Sequence, residues 1–332
     1  MERDLINNSS NFDAVISIIE NAKNRAFRAV NKELINMYWD IGKYLSELCS
    51  ESDFGDKVID EVAAYIAIKA PSLKGFSRRG LYRMKQFYEI YKDDEFVSSM
   101  LTQISWTNHL LIMSKAKTKE ERDFYILLAV NERLSSRELE RQLNSAYYER
   151  YMLSTKKDIS NKVSIDIREN FLDTYVLEFL DLPKKYSENN LRKAIIDNLK
   201  DFILELGKGF TFIGEEYRVQ VGNEDYYIDL LFYNRTLSCL VAFELKIEKF
   251  KPEHIGQMNF YLEALDRDIK KNNENPSVGV ILCAGKDDMV VEYALSRSLS
   301  PTLVSSYTFC LPDKKVLENR LKELTRIGLD ID

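Results

Sequence analysis

Two carboxylates and an ammonium set among β-forming residues are the most chemically suggestive groups of this 332-residue chain. Asp229 lies in Tyr226-Tyr227-Ile228-Asp229-Leu230-Leu231-Phe232-Tyr233, and Glu244 and Lys246 lie in Leu240-Val241-Ala242-Phe243-Glu244-Leu245-Lys246. Aromatic, branched and apolar neighbours predict a strand for each segment. Side chains on a strand change face at every step, so Tyr227, Asp229, Leu231 and Tyr233 share one face, and Glu244 and Lys246 share one face of the next strand. The short polar link Asn234-Arg235-Thr236-Leu237-Ser238 predicts a hairpin, which makes the strands antiparallel neighbours and lets Asp229 and Glu244 converge. Buried ions lose several kcal/mol of hydration each, so such a cluster persists when its members pair or share a metal ion. The two carboxylates and the Leu245 backbone carbonyl between Glu244 and Lys246 suit Mg2+ or Mn2+, hard cations that take oxygen ligands. Lys246 would orient the attacking water and favour its deprotonation. The structural alternative is an i, i+2 salt bridge between Glu244 and Lys246, with Asp229 ending a strand ladder.

This arrangement resembles the PD-(D/E)xK nuclease superfamily, with Ile228-Asp229 in place of Pro-Asp and Glu244-Leu245-Lys246 as the second half. The resemblance implies a helix glutamate that completes the metal site. Glu205 is the candidate, at the end of a helical run over 191–206 and just before Gly207 and Gly209, with Glu215 or Glu216 as strand-borne substitutes. Pro252 can open a further helix whose buried stripe is Ile255, Met258, Leu262, Leu265 and Ile269. His254, Gln257 and Tyr261 form the adjacent row; His254 reads as a surface histidine. Gln257 to Tyr261 resembles the Q-x-x-x-Y element of the exonuclease branch, which implies that the pair orients the phosphate or Lys246.

A resemblance to YhcG-type proteins of this superfamily, with an extra helical N-terminal domain, covers most of the chain. Its carriers are Gly75-Phe76-Ser77-Arg78-Arg79, Ile104-Ser105-Trp106-Thr107, Leu204-Glu205-Leu206-Gly207-Lys208-Gly209-Phe210, the run 227–261, and Asn275-Pro276-Ser277-Val278-Gly279-Val280-Ile281-Leu282-Cys283. It implies a metal-dependent nuclease hydrolysing phosphodiester bonds, with DNA ahead of RNA as substrate. The alternative is a catalytically silent nucleic-acid-binding or assembly protein on a nuclease-like scaffold.

These residues need elements to hold them. The C-terminal half reads as helix, strands, helix, strand, helix, strand: 210–212 and 217–221 before the motif hairpin, a buried strand at 278–283, a helix at 289–298, a strand at 304–311 and a last helix at 314–324. A crossover between Glu244 and Val278 makes the sheet mixed. The N-terminal half reads as helical: a long or broken helix over 11–48, another over 101–113, and capping boxes at Thr118/Glu121 and Ser135/Glu138 that start two more. Trp39 and Trp106 are expected as core anchors. The fold class expected is α+β or α/β: an all-helical domain at 1–153, a polar linker at 154–164, and a restriction-endonuclease-like mixed sheet flanked by helices at 165–332.

One stretch of the helical half has its own chemistry. Residues 68–88 contain no acid, while Lys69, Lys74, Arg78, Arg79, Arg83 and Lys85 are interleaved with Phe76, Tyr82, Phe87 and Tyr88. A helix over 58–68 that ends before Pro71, then one starting at Arg78 with Ser77 as N-cap, resembles a helix-turn-helix. Lys74, Arg78, Arg79, Arg83 and Lys85, with Lys249 and Lys251 beside the motif, are the expected phosphate contacts. The bland reading is a solvated helix face.

The formal net charge of −6 argues against a protein that coats nucleic acid with a basic surface. No run approaches the roughly 20 apolar residues of a membrane span, and Met1-Glu2-Arg3-Asp4 is no secretory signal, so a cytoplasmic, membrane-free protein is expected, with assembly into a homo-oligomer left open. Cys49, Cys239, Cys283 and Cys310 have no C-x-x-C spacing and read as free thiols. Two histidines, His109 and His254, leave little room for a His-rich metal site or a triad. The glycine spacing around Gly279 to Asp287 does not fit a phosphate loop.

Overall fold

The computed structural model describes residues 9–51, 57–94, 99–155, 165–296, 298 and 300–329. The chain divides into two compact units, Met1–Leu143 and Asn144–Asp332. Of the stretch expected as linker, Ser154 and Thr155 close a helix, and 156–164 lie outside the described residues.

The first unit is helical: α1 (Ser9–Glu51), α2 (Lys57–Lys69), α3 (Arg78–Tyr91), a 3-10 turn (Leu101–Gln103), α4 (Trp106–Lys115), α5 (Lys119–Asn131) and α6 (Ser136–Asn144). Side chains cap the starts as the sequence suggests: Ser77 accepts from the Gly80 N–H, Thr118 from Glu121, and Ser135 and Glu138 close a reciprocal box. Leu45, Ile59, Leu81 and Met84 form a core. Beside it the buried Phe87 ring meets Trp39, Trp106 and His109 edge-on, so both tryptophans anchor packing. Gly42 lets α3 approach α1: a Cβ there would lie 2.2 Å from the Met84 carbonyl oxygen.

The second unit contains α7 (Tyr147–Thr155), a helical turn (Ile165–Arg168), β1 (Thr174–Val176), α8 (Glu188–Asp197), α9 (Leu199–Leu206), β2 (Phe210–Val221), β3 (Glu224–Asn234), β4 (Cys239–Lys249), α10 (His254–Ala264), a π turn (Leu265–Ile269), β5 (Val278–Gly285), α11 (Asp288–Leu295), β6 (Thr302–Thr308) and α12 (Lys314–Leu329). One six-stranded sheet has the order β1-β6-β5-β4-β3-β2. The β2–β3–β4 side is antiparallel, and the pairs from β4 to β1 are parallel, so the sheet is mixed. Phe202 of α9 packs against Phe232 and Phe243, while Met258 and Leu262 of α10 join Ile281 in another cluster. Gly279 permits that contact: a Cβ would lie 2.5 Å from Met258.

Three features depart from the sequence reading. The helical run over 191–206 is two helices broken at Asn198, whose φ of −117° and ψ of 32° leave the helical region. The two short strands expected at 210–221 are one strand with an irregularity between Phe212 and Gly214 that keeps both ends paired with β3. β1 is three residues long, too short for periodicity to mark.

Candidate active site

The β3–β4 ladder pairs Asn234 with Cys239 and continues to Leu230 opposite Phe243. The next pair in this register is Asp229 and Glu244, just where the ladder stops. In place of a backbone bond, the Asp229 carboxylate reaches across and Oδ2 accepts the Leu245 N–H at 2.8 Å. The β3–β4 ladder therefore ends in two acids brought side by side, with Lys246 beyond them. The Lys246 ammonium donates to Glu244 Oε1 at 2.9 Å and lies 3.6 Å from Glu188 Oε2.

Burial controls the charge here. Glu244 is 3% exposed, and its Oε2 has no hydrogen-bond partner among the described residues. Burial, then the neighbouring Asp229 charge, push its carboxyl up to about 7, against the opposing pull of Lys246. Burial also raises Asp229, opposed by the Leu245 N–H, Lys246 and Arg192. Burial pulls the Lys246 ammonium down, but its bond to Glu244 and the charges of Glu244, Glu188 and Asp229 outweigh that, and it stays protonated. The group has more negative charge than its own cations satisfy. An orphaned buried carboxylate oxygen beside a second raised carboxylate fits a divalent cation.

Two neighbours were not legible in the sequence. Glu188 opens α8 directly after the cap Ser187, whose hydroxyl and Asn190 side chain form a capping box. One turn on, Arg192 is only 11% exposed at its side chain; it bonds Glu216 at 2.9 Å and stands 3.9 Å from Asp229 Oδ1. The helix acid beside the strand acids is thus Glu188. A serine cap followed by an acid was the available signal, but it reads equally as ordinary dipole pairing.

Glu205, expected to complete the site, is committed elsewhere. Its side chain is fully buried; Oε1 accepts from Arg150 Nη1 and, at 2.7 Å, from the Val176 N–H, and Oε2 accepts from Arg150 Nη2 at 3.4 Å. Arg150 in turn donates to the Ser145 and Thr174 carbonyls and to Ser145 Oγ. With both oxygens occupied by a paired cation, this carboxylate is a fastener of the helix end to β1. Glu215 and Glu216 lie on β2 and face Arg192.

Gln257 and Tyr261 act on the backbone of β3. Gln257 Nε2 donates to Tyr261 Oη at 2.9 Å, and that hydroxyl donates to the Tyr227 carbonyl at 2.8 Å, two residues before Asp229. Leu245 contributes its N–H to Asp229 as described. His254 is buried, not superficial: its Nδ1 accepts the Lys251 N–H at 3.2 Å, and Nε2 lies 3.5 Å from Glu248. His254, Glu248 and Glu253 cluster closely enough to hold a metal ion. Its Nδ1 is already taken by the Lys251 N–H, however, and the Lys251 ammonium already sits 2.7 Å from Glu248.

Of the expected phosphate contacts, Arg78 pairs with Asp60 at 2.5 Å and Lys85 with Glu89 at 3.0 Å, so both are partly neutralised. Lys74 and Arg79 are exposed and Arg83 half-buried, without ion pairs among the described residues. Lys249 is exposed, and Lys251 is paired as above. No helix among the described residues is long and apolar enough to cross a membrane.

Comparison with known proteins agrees with this architecture. Residues 168–322 match the family described as the YhcG PDDEXK nuclease domain, and residues 14–150 match the DUF1016 N-terminal domain. The Escherichia coli (strain K12) protein named "Putative nuclease YhcG" is 29% identical over 348 residues, covering 93% of this chain and 92% of that one. Among solved structures, a repair endonuclease from Pyrococcus abyssi is 17% identical with a TM-score of 0.27, over 40% of this chain and 50% of that one. The EndoMS-dsDNA2 complex is 16% identical with a TM-score of 0.28, over 40% and 48%. The chain thus spans about half the length of those two structures' chains. The chain carries a DUF1016 N-terminal domain followed by a YhcG PDDEXK nuclease domain.

Proposed function

We propose that the protein is a metal-dependent nuclease, with 165–332 as the hydrolytic domain, 1–153 as a nucleic-acid-binding domain and 154–164 as the link between them. The observation that carries this reading is the buried, partnerless Oε2 of Glu244 beside Asp229 at the end of the strand ladder. Asp229 and Glu244, with the Leu245 carbonyl, would hold Mg2+ or Mn2+, and Glu188 takes the place first assigned to Glu205. The ion, when bound, supplies charge that acidifies water and stabilises a phosphorane-like transition state, worth several kcal/mol.

The residues themselves have distinct tasks. The Leu245 N–H fixes the Asp229 carboxylate, so that acid needs no reorganisation. Lys246 remains an ammonium and so orients the incoming water or a phosphate oxygen by donating to it, rather than accepting its proton. In the metal-free site burial and the Asp229 charge push the Glu244 carboxyl up to about 7, so it would give up its proton as the cation binds. Arg192 places a guanidinium 3.9 Å from Asp229 Oδ1, a forked donor of the kind that holds phosphate oxygens. Tyr261 positions β3, and Gln257 positions Tyr261.

This reading puts DNA ahead of RNA as substrate, and the test carries both. Lys74, Arg79 and Arg83, on and before α3, are the groups that would meet phosphates from the helix-turn-helix. The test is incubation of the full chain with supercoiled plasmid, linear duplex and single-stranded RNA, with Mg2+, Mn2+ or EDTA, alongside Glu244→Gln. Metal-dependent cleavage by the wild type alone supports the reading. Equal background from both proteins on every substrate would leave a silent nucleic-acid-binding scaffold instead.

A further inference from the structure

We infer that a cavity in the first unit binds a phosphate monoester, carried either by a free nucleotide or by the end of a nucleic-acid strand. The cavity measures about 840 Å3, within the range of small-ligand sites, about 300–1,000 Å3. Its wall is made from α1, the segment leading into α4, and the link from α5 to α6. Arg28, Lys32 and Arg133 line it, and no aspartate or glutamate does. Acids outnumber basic residues in the chain, 53 to 47, so three cations facing no acid is a local reversal.

The cations are placed by the backbone. Arg28 and Lys32 are one turn apart on α1 and rise from the same face. Arg133 follows α5 with a φ of 52°, a left-handed conformation uncommon for a side-chain-bearing residue, and one that glycine would adopt more easily. None of the three makes an ion pair among the described residues. Asn31 donates to the carbonyls of Thr102 and Ile104, which fixes α1 against the opposite wall and keeps the cavity built without a ligand.

The electrostatics favour a compact, doubly charged group. Ser105 caps α4 through the Asn108 N–H, and the earlier N–H groups of that helix add positive potential at the same wall. The start of α6 adds none, because Glu138 already accepts the Ser135 N–H at 2.8 Å. A phosphate monoester carries about −1.5 to −2 charges at pH 7 and offers three acceptor oxygens to guanidinium forks. A carboxylate or a mid-strand phosphodiester brings only one charge. Phe27, 74% exposed at the same wall, offers a ring face for a base.

None of these residues belongs to the proposed hydrolytic site, so the inference stands apart from the nuclease reading. The test is calorimetric titration of the full chain with inorganic phosphate, adenosine monophosphate, and one single-stranded oligonucleotide ending in a 5′-phosphate or a 5′-hydroxyl. Wild type is compared with Arg133→Gly, which removes the side chain and suits the backbone, and with the double variant Arg28→Ala, Lys32→Ala. The expected result is binding of a phosphorylated probe that weakens at least tenfold in each variant. Binding of the mononucleotide identifies a free nucleotide as the source, and binding of the 5′-phosphorylated strand alone identifies a strand end. A strand bound equally with either end while neither inorganic phosphate nor the mononucleotide binds, no binding of any probe, or affinity unchanged in both variants would overturn the inference.

Discussion

Glu205 and Glu244 are both buried carboxylates of the second unit, 0% and 3% exposed, and they are built to opposite ends. Glu205 has a guanidinium across both oxygens and a backbone N–H besides, and its Arg150 partner is itself bonded to Ser145 and Thr174. Glu244 has one lysine on one oxygen, nothing on the other, and a second acid next to it. A satisfied buried pair fastens structure, because its polar atoms have no further use. A carboxylate left short of partners carries a standing cost, relieved when it takes up a proton or when a cation arrives. The lesson is that burial alone did not separate scaffold from site; the count of partners did.

Activity separates the two carboxylates most widely. Glu244→Gln is expected to lower metal-dependent hydrolysis by about a thousandfold or more, with an unchanged circular dichroism spectrum, whereas a variant at Glu205 should retain the activity of whatever fraction folds. The next largest effect is on stability. Glu205→Ala strands the Arg150 guanidinium in the interior and should cost about 3–5 kcal/mol in urea unfolding; a cost under 1 kcal/mol would show that the pair is not the fastener described.

Acidity sharpens the same contrast. The folded Glu244 carboxyl titrates near 7, above its ordinary 4.5, so the folded state holds that proton more tightly than the unfolded chain. In metal-free protein this contribution to stability is fully present below about 4.5 and is lost as pH rises through about 7. Glu244→Gln should remove the loss and raise metal-free stability at pH 8 by roughly 1–3 kcal/mol. A variant no more stable than wild type at pH 8 would argue against the strain. The smallest effect expected is that of Tyr261→Phe: about 1 kcal/mol of stability from the lost bond to the Tyr227 carbonyl and a several-fold fall in kcat with KM little changed.

How far the sequence alone reaches follows the same division. The meeting of Asp229, Glu244 and Lys246 was legible because strand alternation and a five-residue polar link determine which side chains converge, and the ladder runs in the register that implies. The mixed sheet followed from the crossover between β4 and β5. Glu205 was misread because the partner that claims it, Arg150, lies 55 residues away in sequence, and no local pattern reports such a pair. Glu188 and Arg192 were missed for the converse reason: α8 faces Lys246 and Asp229 only once the helix is packed. His254 shows the same limit, since flanking lysines suggested a surface position while the fold buries its ring beside Phe250.

The most direct test of a cation completing the Asp229–Glu244 pair is Mn2+ binding followed by electron paramagnetic resonance between pH 6 and 8. Wild type, Glu244→Gln and Glu248→Gln are compared, the last removing the other acid cluster beside His254. The expected result is binding by wild type and Glu248→Gln that strengthens with pH through about 7, as Glu244 gives up its proton, and its loss in Glu244→Gln. Binding that survives Glu244→Gln but disappears in Glu248→Gln, or no binding by wild type, would contradict the account.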